Sequence, residues 1–398
     1  MSKGTLVIAG GALGEQTERI HRRFLDEAGP GAKLAIIPSA GGEGAEENSA
    51  FTVKLWESLG VSPGNIVCLP VPGRPGDRDD SELVCDSPEF AALLDGASGA
   101  WFTGGDQFYI WKEFVKPNCH DTLALRRLRE ILNKGGVMGG VSAGAAIMSS
   151  IMIGDGTSAT ALHYPAIFGY DGYWDKRHDS FPRLRITQGL GFFPLGVIDQ
   201  HFDARPRLFR LVESVFLSGD RRGWGFGVAE ETALIYSFPN KTISVIGAGG
   251  VYAVDARKAF RMDIGKQICH DDLVLHLLNE GDSYNTETEE FLFKNSGQAC
   301  EEFELNRDTL AGELPHTRGF GSFIMDHVVL NKDEALKLEN GMRYAQGFMA
   351  CEANGQLWGH ELKYFKTPLS KAYRESGTKV SFCHVGLATA PYSITPAL

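Results

Sequence analysis

This sequence has no apolar run near the roughly 20 residues that a membrane-crossing helix requires, which excludes a helical membrane protein as its reading. It also has no Cys-x-x-Cys pair. Its seven cysteines, Cys68, Cys85, Cys119, Cys269, Cys300, Cys351 and Cys383, are scattered and odd in number, so they read as buried thiols and not as a disulfide framework or a zinc site. Positive charge is in the minority. The 39 Lys and Arg against 50 Asp and Glu leave a net charge of -11, the wrong sign for gripping nucleic acid phosphates and a favourable one for a cationic substrate. Met1-Ser2-Lys3-Gly4 leads directly into a strand-like run with no apolar leader, so residence in the cytoplasm is expected unless a signal peptide has been removed.

What is present suits a globular protein of one sizeable core plus a smaller module: 398 residues, 43% hydrophobic and 22% charged. Strand-like runs at 5–9, 34–38, 66–69 and 100–103 alternate with helical patterns over about 16–28 and 45–59. That βαβ rhythm predicts an α/β fold, with helices on both faces of a parallel sheet and a ligand site at the carboxyl ends of the strands. Gly10-Gly11, Gly41-Gly42, Gly104-Gly105 and Gly139-Gly140 mark those ends. The first pair does not open a dinucleotide fingerprint, because the Gly-x-Gly-x-x-Gly spacing is absent and Pro38-Ser39 stands where an acidic residue would close the second strand. Strand signals at 197–198, 225–229, 233–236, 243–246 and 251–254 are consistent with an antiparallel ribbon extending the sheet. Residues 154–185, including Phe168-Gly169-Tyr170-Asp171-Gly172-Tyr173-Trp174, lack periodicity and read as either a long active-site loop or a surface excursion. A main domain of residues 1–290 is thus followed by an α+β extension, 291–398, with neither repeat nor low-complexity tract and no disclosed role.

The most informative stretch is Gly140-Val141-Ser142-Ala143-Gly144, between the strand-like lead-in 137–139 and the helical run 145–148. A serine on so sharp a strand-to-helix turn is pushed clear of the backbone, and its small neighbours relieve the crowding, so Ser142 is the candidate nucleophile. A hydroxyl needs a base, and the base an orienting acid. His201, in Val197-Ile198-Asp199-Gln200-His201-Phe202 at the end of a buried run, is the candidate base. Glu230 and Glu231 both follow the strand 225–229, and either can supply the acid. Arg205, Arg207 and Arg210 lie in what reads as a helix after His201; they form either a solvated face or a set of guanidinium forks for a substrate carboxylate. Gly105 and the Ala143 amide are candidate oxyanion donors, and Gln107 either hydrogen-bonds substrate or caps a helix.

Four motifs in this order, Phe102-Thr103-Gly104-Gly105-Asp106-Gln107, Gly139-Gly140-Val141-Ser142-Ala143-Gly144-Ala145, Asp199-Gln200-His201-Phe202 with its arginines, and the run 225–234, resemble those of the cyanophycinases. These are serine peptidases related to the aspartyl dipeptidases. The resemblance covers roughly residues 4–290, with 273–282 similar to the family's closing strand and turn. It implies a three-layer α/β sandwich with a mostly parallel sheet, flavodoxin-like or class I glutamine-amidotransferase-like, assembled as a homodimer. It also implies a Ser-His-Glu triad of Ser142, His201 and Glu230, with Gln107, Asp199, Gln200, Arg205, Arg207 and Arg210 binding substrate. The implied substrate is cyanophycin, a polyaspartate with arginine on each side-chain carboxyl, cleaved to β-Asp-Arg dipeptides without metal or organic cofactor. An isoaspartyl or α-aspartyl dipeptidase on the same scaffold, and a noncatalytic peptide-binding homologue, are the alternative readings.

Overall fold

The computed structural model describes residues 4–14, 17–71, 73, 83–170, 182–205, 207–219, 222–265 and 267–294, and beyond these the strands named below. Five parallel strands, β1 (Thr5–Ala9), β2 (Lys33–Ile37), β3 (Ile66–Cys68), β4 (Ala97–Phe102) and β5 (Val137–Val141), lie in the spatial order β1-β5-β4-β2-β3. Their connections are the helices α1 (Glu18–Ala28), α2 (Ala45–Ser58), α3 (Pro88–Ala92), α4 (Gln107–Phe114) and α5 (Leu123–Asn133). Leu6, Val7, Ile8 and Ala9 are all fully buried because the sheet is covered twice. Leu6 and Ile8 join a core with Phe108, Phe114, Leu125 and Leu128 of α4 and α5. Val7 and Ala9 turn the other way, onto Ile20 and Phe24 of α1 and Trp56 of α2. These are the three layers of the expected α/β sandwich. Local signals place the helices: α5 starts where the Thr122 hydroxyl accepts the Leu125 N–H, and it buries Ala124, Leu125, Leu128, Ile131 and Leu132 along one stripe.

After β5 the chain makes a single-turn helix α6 (Ala143–Ala146), then β6 (Ile151–Asp155), α7 (Ser158–His163), β7 (Ile167–Phe168), β8 (Arg185–Gln188), β9 (Val197–Asp199), α8 (Leu208–Leu217), β10 (Trp224–Val228), β11 (Thr232–Ser237), β12 (Thr242–Gly247) and β13 (Val251–Asp255). The expected antiparallel ribbon is divided. β11 and β12 do extend the first sheet antiparallel beside β1, but β9, β10 and β13 belong to a second sheet, where β10 runs parallel to β9 and antiparallel to β13. All five are short apolar runs, and pairing partners are not encoded in such runs. The aperiodic stretch 154–185 contains the end of β6, then α7, β7 and the first residue of β8, while its residues 171–181, with Tyr173 and Trp174, lie outside the described residues. A readable signal was there: Thr157 and Thr160 cap each other reciprocally at the start of α7.

A hairpin of β14 (Phe260–Ile264) and β15 (Gln267–Asp271) precedes β16 (Leu273–Leu278) in the second sheet, and β17 (Ser283–Asn285) and β18 (Glu290–Leu292) complete the first. The extension adds β19 (Phe303–Leu305), β20 (Val328–Leu330), β21 (Lys337–Glu339), β22 (Met342–Ala353), β23 (Gln356–Arg374) and β24 (Val380–Tyr392). β24 pairs antiparallel with β16, buries Leu387, and through the Thr389 hydroxyl accepts the His270 N–H at 2.8 Å. Among the described residues, no helix is long and apolar enough to cross a membrane, and no cluster of His, Cys, Asp and Glu could hold a metal ion.

Candidate active site

Ser142 occupies the single position between β5 and α6, with φ 54° and ψ -108°. A non-glycine residue pays for that conformation, and the fold holds it: the Ser142 N–H donates to the Ala9 carbonyl at 3.0 Å, fixing the turn to the end of β1. His201 follows β9, also at positive φ (46°), and its N–H donates to the Gly10 carbonyl at 2.8 Å. Glu230 follows β10. Three strand ends from two sheets therefore meet at one point.

There the Ser142 Oγ lies 2.9 Å from His201 Nε2, and His201 Nδ1 lies 2.5 Å from Glu230 Oε1. An ionised carboxylate only accepts, so Nδ1 carries the imidazole proton and Nε2 is left to accept the serine O–H. The sequence left Glu230 and Glu231 open, and the geometry separates them. Glu231 turns away at φ 51°, its N–H donating to the Gly11 carbonyl at 2.9 Å. Burial lowers the pKa of His201, opposed by the hydrogen bond to Glu230 and assisted by the charges of Arg205 and Arg207, so the imidazole is neutral in the neutral pH range.

Sequence reasoning missed a part played by Gly11. A Cβ on this residue would lie 2.2 Å from His201 Cε1 and 2.5 Å from Nδ1, so the imidazole occupies space that only glycine leaves open. Within the Gly10-Gly11 pair, one carbonyl anchors the His201 backbone and the next residue makes room for its ring. The partner is some 190 positions downstream, so no local pattern could have revealed it.

Ser142 opens into a cavity of about 690 Å³ whose wall includes Gln107, Gln200, Arg205, Arg207 and Arg210. Gly105, at φ 140°, also faces it, and a Cβ on the adjacent Gly104 would stand 3.5 Å from that of Ser142. Ala143 follows the serine as the first residue of α6. Gln107 is not the helix cap: Asp106 caps α4 by accepting the Phe108 N–H, and the Gln107 amide donates to the Ile153 and Gly154 carbonyls at 2.9 Å each. Two acidic residues that the sequence did not single out, Glu43 and Asp155, share this wall.

The three arginines do not all lie in the helix expected after His201. α8 begins only at Leu208, so Arg205 lies in the preceding turn, exposed, Arg207 at the cap position, and Arg210 alone within the helix. Asp199, expected to contact substrate, is itself buried to 1% exposure beneath them, where it binds Arg210 through two hydrogen bonds of 2.7 and 2.5 Å. Arg210 also donates to the Gly156 carbonyl at 2.8 Å, and Arg207 to the Gln200 side chain at 2.7 Å. Burial works against ionisation of Asp199, yet the Arg210 guanidinium holds its carboxyl below the ordinary range. Replacing Asp199 with alanine strands a buried guanidinium, and a loss of about 3–5 kcal/mol of stability is expected, read by denaturant unfolding.

No protein-family model matches the chain. It is similar to curated cyanophycinases: 29% identical over 300 residues to that of Synechococcus elongatus, covering 73% of this chain and 82% of that protein. The cyanophycinase of Geminocystis herdmanii is 28% identical over 295 residues, covering 72% of this chain and 95% of that protein, and that of Trichormus variabilis is 27% identical over 292 residues, covering 71% and 86%. Among solved structures, a peptidase from an acI-B1 Actinobacterium aligns with 71% of this chain and 97% of its own at 19% identity and a TM-score of 0.47. The resemblance carried by four short motifs thus extends over most of the polypeptide.

Proposed function

We propose that this chain is a serine peptidase of the cyanophycinase type, cleaving the aspartyl backbone of cyanophycin to β-Asp-Arg dipeptides. The observation that carries the reading is the relay from the Ser142 hydroxyl through His201 to Glu230, opening into a cavity walled by guanidinium groups. Similarity to cyanophycinases over some 300 residues supports the choice of polymer.

In this mechanism His201 Nε2 takes the hydroxyl proton as Ser142 Oγ attacks the scissile carbonyl. The amide N–H groups of Gly105 and Ala143 hold the oxygen as it becomes negative. When the tetrahedral intermediate collapses, the C–N bond breaks, His201 returns the proton to the leaving amine, and an aspartyl ester remains on Ser142. Water, deprotonated by His201, then releases the acid and restores the hydroxyl. Glu230 keeps Nδ1 protonated and stabilises the imidazolium formed at each proton transfer. Arg205 and Arg207 receive substrate carboxylate, Gln107 and Gln200 add hydrogen bonds, and Asp199 serves by holding Arg210 in the wall. Glu43 and Asp155 supply countercharge for arginine side chains of the polymer.

Incubating the protein with cyanophycin granules and identifying soluble products by mass tests this directly. Release of β-Asp-Arg is the expected result; turnover of short Asp-X or isoaspartyl peptides with an inert polymer would assign the scaffold to a dipeptidase instead. The pH profile carries a sign. A base must be neutral, and the pKa of His201 is lowered, so kcat/KM should hold through the pH at which an ordinary histidine protonates and fall only at more acid pH.

A further inference from the structure

The Glu230 backbone is held locally by the Thr232 hydroxyl, which donates to its carbonyl at 2.8 Å, and its N–H is held by a contact from far along the chain. β9 and β10 pair in parallel, with Gly227 opposite Asp199, and main-chain pairing continues just past the end of β9 with the Phe202 N–H donating to the Val228 carbonyl at 3.1 Å. The left-handed residue His201 precedes this last main-chain bond, and two residues further along the second chain the Glu230 N–H takes a side-chain acceptor instead. A buried backbone donor left behind must find another acceptor. Asp203 provides it: its Oδ1 accepts the Glu230 N–H at 2.9 Å, across 27 residues, and the N–H of its own neighbour Ala204 at 2.9 Å. Contact with Ala204 alone would make Asp203 an ordinary turn former. The bond to Glu230 is different, because it joins the loop bearing the imidazole to the loop bearing the carboxylate. The Asp203 side chain is half-buried there, and burial raises its pKa against those backbone donors.

We propose that Asp203 is a positioning residue of the Ser142-His201-Glu230 relay, fixing the Glu230 backbone relative to the His201 loop by accepting its N–H. This rests on the triad reading above, and it assigns Asp203 no contact with substrate or with the reacting atoms. What matters is an acceptor at that point, so asparagine should serve where alanine, or the longer glutamate, should not. Since an error of about 1 Å in catalytic geometry can cost on the order of 100-fold in rate, the expected effect is large compared with assay error.

The test is the rate at which a serine-directed fluorophosphonate labels Ser142, measured on the full chain without any substrate, followed by kcat and KM on cyanophycin. Wild-type protein that resists labelling would remove the triad reading itself. Given a labelled wild type, Asp203→Ala should be labelled at least tenfold more slowly and lose kcat with KM within about twofold, while Asp203→Asn stays within about threefold of wild type in both. Should Asp203→Ala fail to fold, Asp203→Glu, which keeps the charge and displaces the acceptor, takes its place with the same expected loss. Labelling of Asp203→Ala or Asp203→Glu at the wild-type rate overturns the proposal, as does an Asp203→Asn protein as slow as the alanine variant, or a loss confined to KM.

Discussion

Replacing Ser142 with alanine is expected to abolish the proposed release of dipeptide from cyanophycin, by a factor on the order of 10⁴ to 10⁶ in kcat, and to leave the fold intact. The size of the effect follows from the position of the hydroxyl. It is the atom 2.9 Å from His201 Nε2, and in the proposed reaction it forms the bond to the acyl group. The preservation of the fold follows from the backbone. Alanine at φ 54° and ψ -108° is no more strained than serine, the N–H bond to Ala9 is untouched, and what the Ser142 hydroxyl gives up is its hydrogen bond to the His201 side chain. The variant should therefore keep the wild-type unfolding transition and still bind polymer in a sedimentation assay. Turnover surviving in it would transfer the chemistry to some other group.

Gly11→Ala is the second large effect, and it acts without removing any group of the proposed relay. The added methyl would stand 2.2–2.6 Å from three atoms of the His201 ring, closer than nonbonded carbon and nitrogen approach, and the backbone there has φ 142°. Backbone strain of this kind costs about 1–3 kcal/mol, which a domain with so complete a core can absorb. The imidazole cannot stay in place, and the relay fails at both of its hydrogen bonds. A fall in kcat of about 100-fold or more is expected, with fluorophosphonate labelling of Ser142 reduced in parallel and near-native circular dichroism. An active Gly11→Ala enzyme would mean that the ring does its work from another position.

The parts of the site that could be read from the sequence are those whose cause is local. The elbow at Ser142 announces itself because crowding forces small residues within two positions on either side, and the parallel strands announce themselves because burial on both faces leaves no polar alternation. Where the cause is distant, the sequence was ambiguous or silent. Glu230 and Glu231 are adjacent carboxylates, and only the return of the chain past Gly11 turns one toward His201 and the other away. Asp199 looks like any polar residue at a strand end, and its burial depends on an arginine eleven positions later folding back over it. Arg207 and Arg210 have the spacing of one helical side, but the helix starts only at Leu208, three residues after Arg205. Short strands such as 225–229 and 233–236 carry the same apolar pattern and join different sheets.

The seam between those sheets sets an alignment tolerance for the proposed relay. The hydroxyl rides on the layer of β5, and the imidazole and carboxylate ride on the layer of β9 and β10, so the bond from Ser142 to His201 spans two separately hydrogen-bonded slabs. A slip of one slab past the other by the width of a single atom would part the Ser142 hydroxyl from the imidazole while every strand in both layers remained paired. Activity through the proposed relay would therefore be a gauge of registry between the two sheets, more exacting than any measure of how much secondary structure survives.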